Sequence, residues 1–319
     1  EMHFVERHVV FLMLSAAMLF ATSLLAPRGV LRIGMALCLG AGLVTALTPL
    51  IGIEVNGAQR WIATPLGAFQ PSEFLKPGLA IVIAAILASH QDTVHALPLG
   101  LALTAAAVGC LLMQPDLGMA ALLGLVFGTQ LFVAGLGWLW IGLFVLIGIG
   151  VVIGAYSLLP HVQARIDAFF DPGAQVYQVE QALGAVTAGG IFGKGPGEGE
   201  IKFNIPDAHA DFIFAAAAEE FGIIIGIFLI GLFAFVIVKS LIRLGRTEDR
   251  FVMLAGVGLL ASFGFQALIN MGVNLNLMPT KGMTLPFVSY GGSSMLAMGI
   301  SMGMLLALTR RDAKLEVTS

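Results

Sequence analysis

Acidic residues gather around a histidine just before, and within, a strongly apolar stretch of the chain. The acidic residues are Asp207, Asp211, Glu219 and Glu220, and the histidine is His209. A positioned carboxylate can remove a proton as a general base. An unpaired charge inside a membrane costs at least ~2.5–3.5 kcal/mol on insertion scales, so helix capping alone does not account for Glu219 and Glu220. We therefore expect a functional reason for this cluster, with Asp211 at the point where a loop enters a helix.

Two cations in an earlier segment could hold an anionic ligand. Arg60 and Trp61 precede Pro71, which suits the start of a helix. Glu73 and Lys76 are three residues apart, so they share a helix face and can pair. Two interpretations stay open for this segment: an interfacial anchor with a Glu–Lys pair, and a lipid-phosphate site that uses both cations.

A glycine-rich segment, residues 189–199, surrounds Lys194. It superficially resembles a nucleotide phosphate loop, but its spacing is one residue short and Gly195 stands where Ser or Thr is needed. Nucleotide binding is excluded on these grounds. A loop with one cation that could hold an anionic ligand remains.

Two further segments predict breaks between apolar runs. Gln114 and Asp116 flank a proline at a sharp bend, where Asp116 can cap the following helix. Two prolines and a glycine pair in residues 279–294 predict a broken entry into the last helix. Within that entry, Ser293 and Ser294 are interpreted as small residues that pack helices, rather than as nucleophiles.

The composition places all these residues in a membrane protein. Apolar residues make up 58% of the 319 residues and charged residues 11%, whereas soluble domains average about 25% charged residues. This excludes a cytosolic enzyme, a disordered protein and, with a net charge of −3, a nucleic-acid binder. An all-α polytopic membrane protein with a single domain over residues 1–319 remains.

Nine apolar runs are candidates to cross the bilayer. They are roughly Val9–Ala26, Leu31–Ile53, Phe74–Ser89, Leu97–Met113, Met119–Gly135, Trp138–Leu159, Phe212–Val238, Phe251–Leu275 and Ser289–Leu308. The long connection, about residues 160–210, is the only one large enough for a substantial extramembrane structure.

Basic residues on short turns and on the C-terminal tail predict the orientation. One side receives Arg28, Arg32, Lys239, Arg243, Arg246, Arg250, Arg310, Arg311 and Lys314. That side, with the C-terminus, should be cytoplasmic. The long loop and the polar clusters then face the extracytoplasmic side.

Four motifs resemble the SEDS family of cell-wall polymerases (shape, elongation, division and sporulation). They are Arg60-Trp61-Ile62 with Phe69-Gln70-Pro71-Ser72-Glu73 and Lys76; Gln114 to Gly118; His209 to Ala215 with Glu219 to Gly222; and Pro279 to Ser294. The last motif is more similar to the division branch than to the elongation branch. The chain departs from the family at Ala210, usually Thr, and at 171–178, where glycines are partly replaced.

The resemblance implies ten spans, of which the nine runs match spans two to ten, and peptidoglycan glycosyltransferase activity on lipid II during septal wall synthesis. The family's essential aspartate falls on Asp211. We expect substrate contacts from Arg60, Glu73, Lys76, Lys194, His209, Lys281 and Ser289. We expect supporting roles for Trp61, Gln114, Asp116, Glu219, Glu220, Ser293 and Ser294.

The reaction implied is attack of a sugar 4-hydroxyl on the anomeric carbon of a lipid diphosphate, with Asp211 as the base. Basic side chains, or a divalent cation such as Mg²⁺ or Mn²⁺, would stabilise the leaving diphosphate. No cofactor is required by the sequence. The resemblance also implies a class B penicillin-binding protein (FtsI-like) and other divisome membrane proteins as partners, in the bacterial inner membrane with the active site facing the periplasm.

The competing function is a transporter, a lipid II flippase. Membrane-embedded Glu219 and Glu220 and the broken helices suit it. The polar clusters gather at one face, however, whereas a transporter places such groups near the bilayer midplane. A third possibility is a scaffold that only recruits a synthase. Such a scaffold would not need Asp211, Glu219 and Glu220 together.

Overall fold

The computed structural model describes residues 2–55, 58–64, 67–90, 92–158, 162–164, 166–167, 177–279 and 282–310. The chain forms two compact units. The first comprises Glu1–Leu136, Ile237–Phe265 and Tyr290–Ser319, and the second comprises Gly137–Val236 and Gln266–Ser289.

Helices occupy all nine apolar runs, which confirms the all-α membrane class. They are α1 (Met2–Ser23), α2 (Pro27–Ile51), α3 (Pro71–Ser89), α4 (Thr93–Met113), α5 (Leu117–Val133), α6 (Trp138–Leu158), α8 (Ile213–Leu244), α9 (Arg250–Asn274) and α10 (Gly292–Thr309). The long connection adds α7 (Tyr177–Gly189) and a 3₁₀ turn, Ile201–Asn204. Six of the described helices are long and apolar enough to cross a membrane, and α5 and part of α6 are shorter apolar helices. The predicted number of nine crossings is not confirmed.

Helix α3 is one of the most buried helices of the first unit. It begins at Pro71 as predicted, because the fixed φ of proline suits the first helical position. Its backbone approaches α2 so closely that a Cβ at Gly78 would overlap the main chain of Cys38. In contrast, α2 exposes Leu39, Leu43 and other apolar side chains along its outer face, as expected for a helix that faces lipid.

A small antiparallel sheet precedes α3 and was not predicted. Its strands are β1 (Ile53–Val55), β2 (Ala58–Thr64) and β3 (Gly67–Phe69), in the order β1-β2-β3. Trp61 on β2 pairs with Ile53, and Ile62 pairs with Phe69. The sheet therefore fixes Arg60 and Trp61 on a strand, in a segment that was predicted to be a loop.

Helix α8 is interrupted near its start, although its sequence is one continuous apolar run. Gly222 has φ 76° and ψ −176°, which is not helical. This backbone conformation favours glycine, and a Cβ there would also overlap the carbonyl of Ile191. Helix α8 thus consists of a short helical piece before Gly222 and a long one after it.

Candidate functional site

Asp211 lies in the turn that leads into α8, as the sequence predicts. Its N–H donates to the carbonyl of Asp207 (3.0 Å), which closes the turn. The residue is half-buried. A Cβ built on Gly282 would lie 3.2 Å from Asp211 Oδ2, so the carboxylate stands against the backbone of the segment that precedes the last helix.

Two asparagines of α9 hold the main chain of Asp211. Asn270 Nδ2 donates to the Asp211 carbonyl at 2.8 Å, and Asn274 Nδ2 donates to it at 3.0 Å. Asn274 Oδ1 accepts the N–H of Ala215 at 3.0 Å. Both amides are buried. They therefore fix where the chain turns into α8.

The Glu219 carboxylate is fully buried and binds the long connection. It accepts the N–H groups of Glu200 (2.9 Å), Ile201 (2.9 Å) and Lys202 (2.8 Å). Lys194 Nζ lies 3.4 Å from the same carboxylate. These contacts satisfy the charge locally, so Glu219 anchors the 3₁₀ turn to the start of α8.

The main chain at the break in α8 receives the glycine-rich segment. Because the helix stops at Gly222, carbonyls just before it have lost their usual partners. The Glu219 carbonyl accepts the Lys194 N–H (2.9 Å), and the Glu220 carbonyl accepts the N–H of Gly195 (3.0 Å). Glu220 also forms an ion pair with Lys202. Both glutamates thus take part in joining the connection to α8, and their expected supporting role in the reaction remains a prediction.

A second polar cluster lies in the first unit. Lys76 Nζ is 2.6 Å from Glu73 Oε2, as predicted, but the Lys76 side chain is only 2% exposed. Arg60 Nη1 lies 3.7 Å from Asp116 Oδ1. Asp116 caps α5 as predicted, because its Oδ1 accepts the N–H of Met119 (3.1 Å). A phosphate that approached Lys76 would have to compete with Glu73, so that assignment remains a prediction.

Three of the predicted site residues, Gln114, Ser289 and Ser293, form hydrogen bonds with main-chain groups. Gln114 Nε2 donates to the carbonyl of Thr45 at 2.5 Å. Ser293 Oγ accepts the Gln70 N–H at 3.1 Å, and Ser289 Oγ accepts the N–H of Leu285 at 2.7 Å. These bonds are structural, and a substrate contact from Ser289 remains a prediction.

For four of the predicted site residues, the expected role remains a prediction. His209 is exposed, Trp61 is half-buried on β2, and Ser294 is buried at the start of α10. Lys281 lies outside the described residues, as does most of the 171–178 stretch. Within the described ranges, no three His, Cys, Asp or Glu side chains gather in a way that could hold a metal ion.

No role was predicted for Gln266, Asn270 and Asn274. Their spacing of four was the available signal, because residues four apart lie on one face of a helix. Three buried amides in line on an apolar helix must find partners. Their partners include the segment that carries Asp211.

Comparison with known proteins identifies the family. The profile of the FtsW, RodA and SpoVE family, described as cell cycle proteins, matches residues 1–314. The chain belongs to this family. An FtsW of Caulobacter vibrioides, named a probable peptidoglycan glycosyltransferase, is 44% identical over 317 residues, covering 98% of this chain and 80% of the relative. A relative of the same name from Trichlorobacter lovleyi is 38% identical over 296 residues, covering 85% of this chain and 76% of the relative.

Solved structures of the FtsW/RodA/SpoVE family share the fold. One, from work on the structural coordination of polymerization and crosslinking by a peptidoglycan synthase complex, has a TM-score of 0.82 and 31% identity, covering 98% of this chain and 91% of that one. RodA of Thermus thermophilus has a TM-score of 0.73 and 29% identity, covering 99% and 90%. The resemblance to the SEDS polymerases is thereby confirmed.

Proposed function

We propose that this protein polymerises lipid II into glycan strands during septal wall synthesis, with Asp211 as the general base. Its peptidoglycan glycosyltransferase activity follows from the family and from FtsW relatives similar over nearly its whole length. One observation carries the residue-level proposal. A half-buried carboxylate stands at the entry to α8, on a main chain that two buried amides hold in place.

The proposed step needs one base. Asp211 removes the proton from the 4-hydroxyl of the acceptor sugar as that oxygen attacks the anomeric carbon of the donor. The bond from the anomeric carbon to the diphosphate oxygen breaks, and the lipid diphosphate leaves with the electron pair. The proton on Asp211 then passes to water, which restores the carboxylate.

The leaving diphosphate needs positive charge more than it needs a proton. Lys194 belongs to the same unit as Asp211, and its side chain is 33% exposed. We favour it as a cation for this purpose, while Arg60, Lys76 and Lys281 remain predictions. A divalent cation is the alternative, since Mg²⁺ is commonly held by one or two carboxylates together with substrate phosphates.

A lipid II flippase is the second candidate, favoured by the interruption of α8. Transporter sites use broken helices and ionisable groups at mid-membrane. The buried Glu219 carboxylate, however, already accepts three N–H groups from the long connection. This engagement makes it a poor carrier of coupled ions, so we rank the polymerase first.

The multi-pass membrane location follows from the family and the apolar helices. We further propose that the C-terminus is cytoplasmic and that Asp211 faces the periplasm. Relatives of this fold occur in a synthase complex that coordinates polymerization and crosslinking. A class B penicillin-binding protein is accordingly the partner we propose, with other divisome membrane proteins.

The test is glycan-chain formation from purified lipid II, with the cognate penicillin-binding protein present and its transpeptidase blocked. We expect polymer from the wild type and at least a 100-fold loss from Asp211→Asn, which keeps the shape but removes the base. Asp207→Asn is the matched control, because this exposed residue contributes its carbonyl to the turn. Omitting divalent cations separates the lysine from the metal alternative.

Three outcomes decide between the candidates. Polymer from Asp211→Asn at the wild-type rate would remove Asp211 as the base while leaving the enzyme. Equal losses from Asp207→Asn and Asp211→Asn would point to the turn rather than to one carboxylate. No polymer from any variant, with lipid II crossing liposome membranes, would favour the flippase.

A further inference from the structure

Helix α9 presents a row of three buried amides. Gln266, Asn270 and Asn274 are spaced by four residues, and each is almost fully buried. Residues with this spacing lie one above another on a helix face. We call these three residues the amide ladder. Nothing in the reaction proposed above uses their side chains.

Each member of the amide ladder binds main-chain groups of other segments. Gln266 Nε2 donates to the Thr284 carbonyl at 3.0 Å. Asn270 Nδ2 donates to the Met283 carbonyl at 2.6 Å, in addition to its bond with Asp211. One helix face therefore forms hydrogen bonds both to the turn that carries Asp211 and to the segment 282–285.

The amide ladder also supplies a helix cap. Ala215 belongs to the first turn of α8, where N–H groups have no partner within the helix. Asn274 Oδ1 accepts this N–H at 3.0 Å. A side-chain oxygen of an aspartate at a helix start commonly serves this purpose. Here a neighbouring helix provides the acceptor for Ala215, and the nearby Asp211 carboxylate does not have to.

Gly282 belongs to the segment 282–285 that the amide ladder binds, and it lies next to the Asp211 carboxylate. It precedes Met283, whose carbonyl Asn270 binds. The position of a Cβ on Gly282 lies 3.2 Å from Asp211 Oδ2, which is closer than ordinary van der Waals contact. The backbone that the amide ladder holds is thus the surface against which the Asp211 carboxylate rests.

We propose that the amide ladder positions the carboxylate of Asp211 for catalysis, setting both the backbone that carries it and the surface that orients it. The inference rests on the proposed function, because it takes Asp211 as the base. The three amides are positioning residues that do not touch substrate. A small displacement of a catalytic group can cost about 100-fold in rate, so loss of a ladder amide should lower turnover strongly.

The experiment compares Asn270→Ala and Asn274→Ala with Gln130→Ala in the lipid II polymerisation assay of the full complex. Gln130 on α5 is the matched control, because it is fully buried and donates to the carbonyls of Ala80 (2.8 Å) and Leu254 (3.1 Å). Each of the three variants removes buried hydrogen bonds, so each should lower Tm. We expect only the ladder variants to lower kcat per folded enzyme, by about 10- to 100-fold with KM unchanged.

A second variant tests the positioning role without removing any of the three amides, so that a misfolded ladder variant does not leave the inference untested. Gly282→Ala puts a methyl group against Asp211 Oδ2 and should lower kcat while leaving Tm near the wild-type value. Its control is Gly184→Ala on α7, where a Cβ meets open space. We expect that control to keep wild-type kcat.

The outcomes separate this inference from the proposed function. If Asp211→Asn is inactive while the ladder variants and Gly282→Ala keep wild-type kcat, the positioning role is overturned and the base stands. A kcat loss no larger than that of Gln130→Ala, or a rise in KM alone, would also overturn it. If Asp211→Asn polymerises normally, both proposals fail together.

Discussion

At the scale of single residues, the chain uses its buried charges in pairs and networks. Burying two charges is costly, and their attraction offsets this only with good geometry. Glu73 and Lys76 meet at 2.6 Å with both side chains nearly excluded from solvent. Glu219 instead accepts three main-chain N–H groups. Both arrangements follow the rule that a buried charge keeps a partner.

Removing one member of the Glu73–Lys76 pair should be far worse than removing both. Lys76→Ala leaves the Glu73 carboxylate buried and uncompensated, which costs about 3–5 kcal/mol. Glu73→Gln with Lys76→Met replaces the ions with neutral side chains of similar volume and should recover much of the Tm. Thermal unfolding of the detergent-solubilised protein measures this. Equal Tm values for the single and the double variant would contradict it.

At the scale of elements, the interruption of α8 joins two segments into one structure. Gly193 has φ 81° and Gly222 has φ 76°. A Cβ at Gly193 would overlap the carbonyl of Glu220, just as one at Gly222 would overlap that of Ile191. The glycine-rich segment and the helix break are therefore complementary, and neither can change alone.

Alanine at either glycine should detach the connection. Gly222→Ala and Gly193→Ala force a residue with a Cβ into a left-handed conformation and against a carbonyl. We expect faster protease cleavage between residues 189 and 204 and at least a 10-fold loss of polymerisation. Gly231→Ala, on α8 where a Cβ meets open space, is the control. Cleavage at the wild-type rate in both variants would show that the break tolerates side chains.

Elements with a local cause could be predicted from the sequence. Pro71 marked the start of α3, Asp116 marked the cap of α5, and the apolar runs located the helices. The interruption at Gly222 could not be predicted, because it depends on Gly190 to Gly195, which are distant in sequence. Strands as short as β1 and β3 leave too few residues for an alternating pattern.

At the scale of the whole molecule, the proposed orientation can be tested by labelling. Phe192 and Arg246 are both exposed, and the proposal places them on opposite sides of the membrane. With Cys38 and Cys110 replaced by serine, Phe192→Cys should react with a membrane-impermeant thiol reagent added to intact spheroplasts. Arg246→Cys should react only after the membrane is opened. The reverse pattern would invert the assignment of the periplasmic face.

The site is less predictable from sequence than the fold. Asp211 was predicted as the base from its charge at an apolar boundary and from family resemblance. The role of the amide ladder could not be predicted, because asparagine and glutamine in an apolar helix usually indicate contacts between helices. Only the folded chain shows that their partners are the Asp211 carbonyl and the Met283 carbonyl.

The break in α8 also explains how a helix longer than the bilayer is thick can fit the membrane. The helix has 32 residues, about 48 Å at 1.5 Å per residue, whereas a hydrocarbon core is about 30 Å thick. From Ile223 to Leu244 the helix is about 33 Å long, enough for one crossing by itself. Gly222 therefore divides the run into a full membrane crossing and a short piece that the crossing does not need. Glu219 sits on that short piece, so the lipid interior can be spanned without carrying its charge through it.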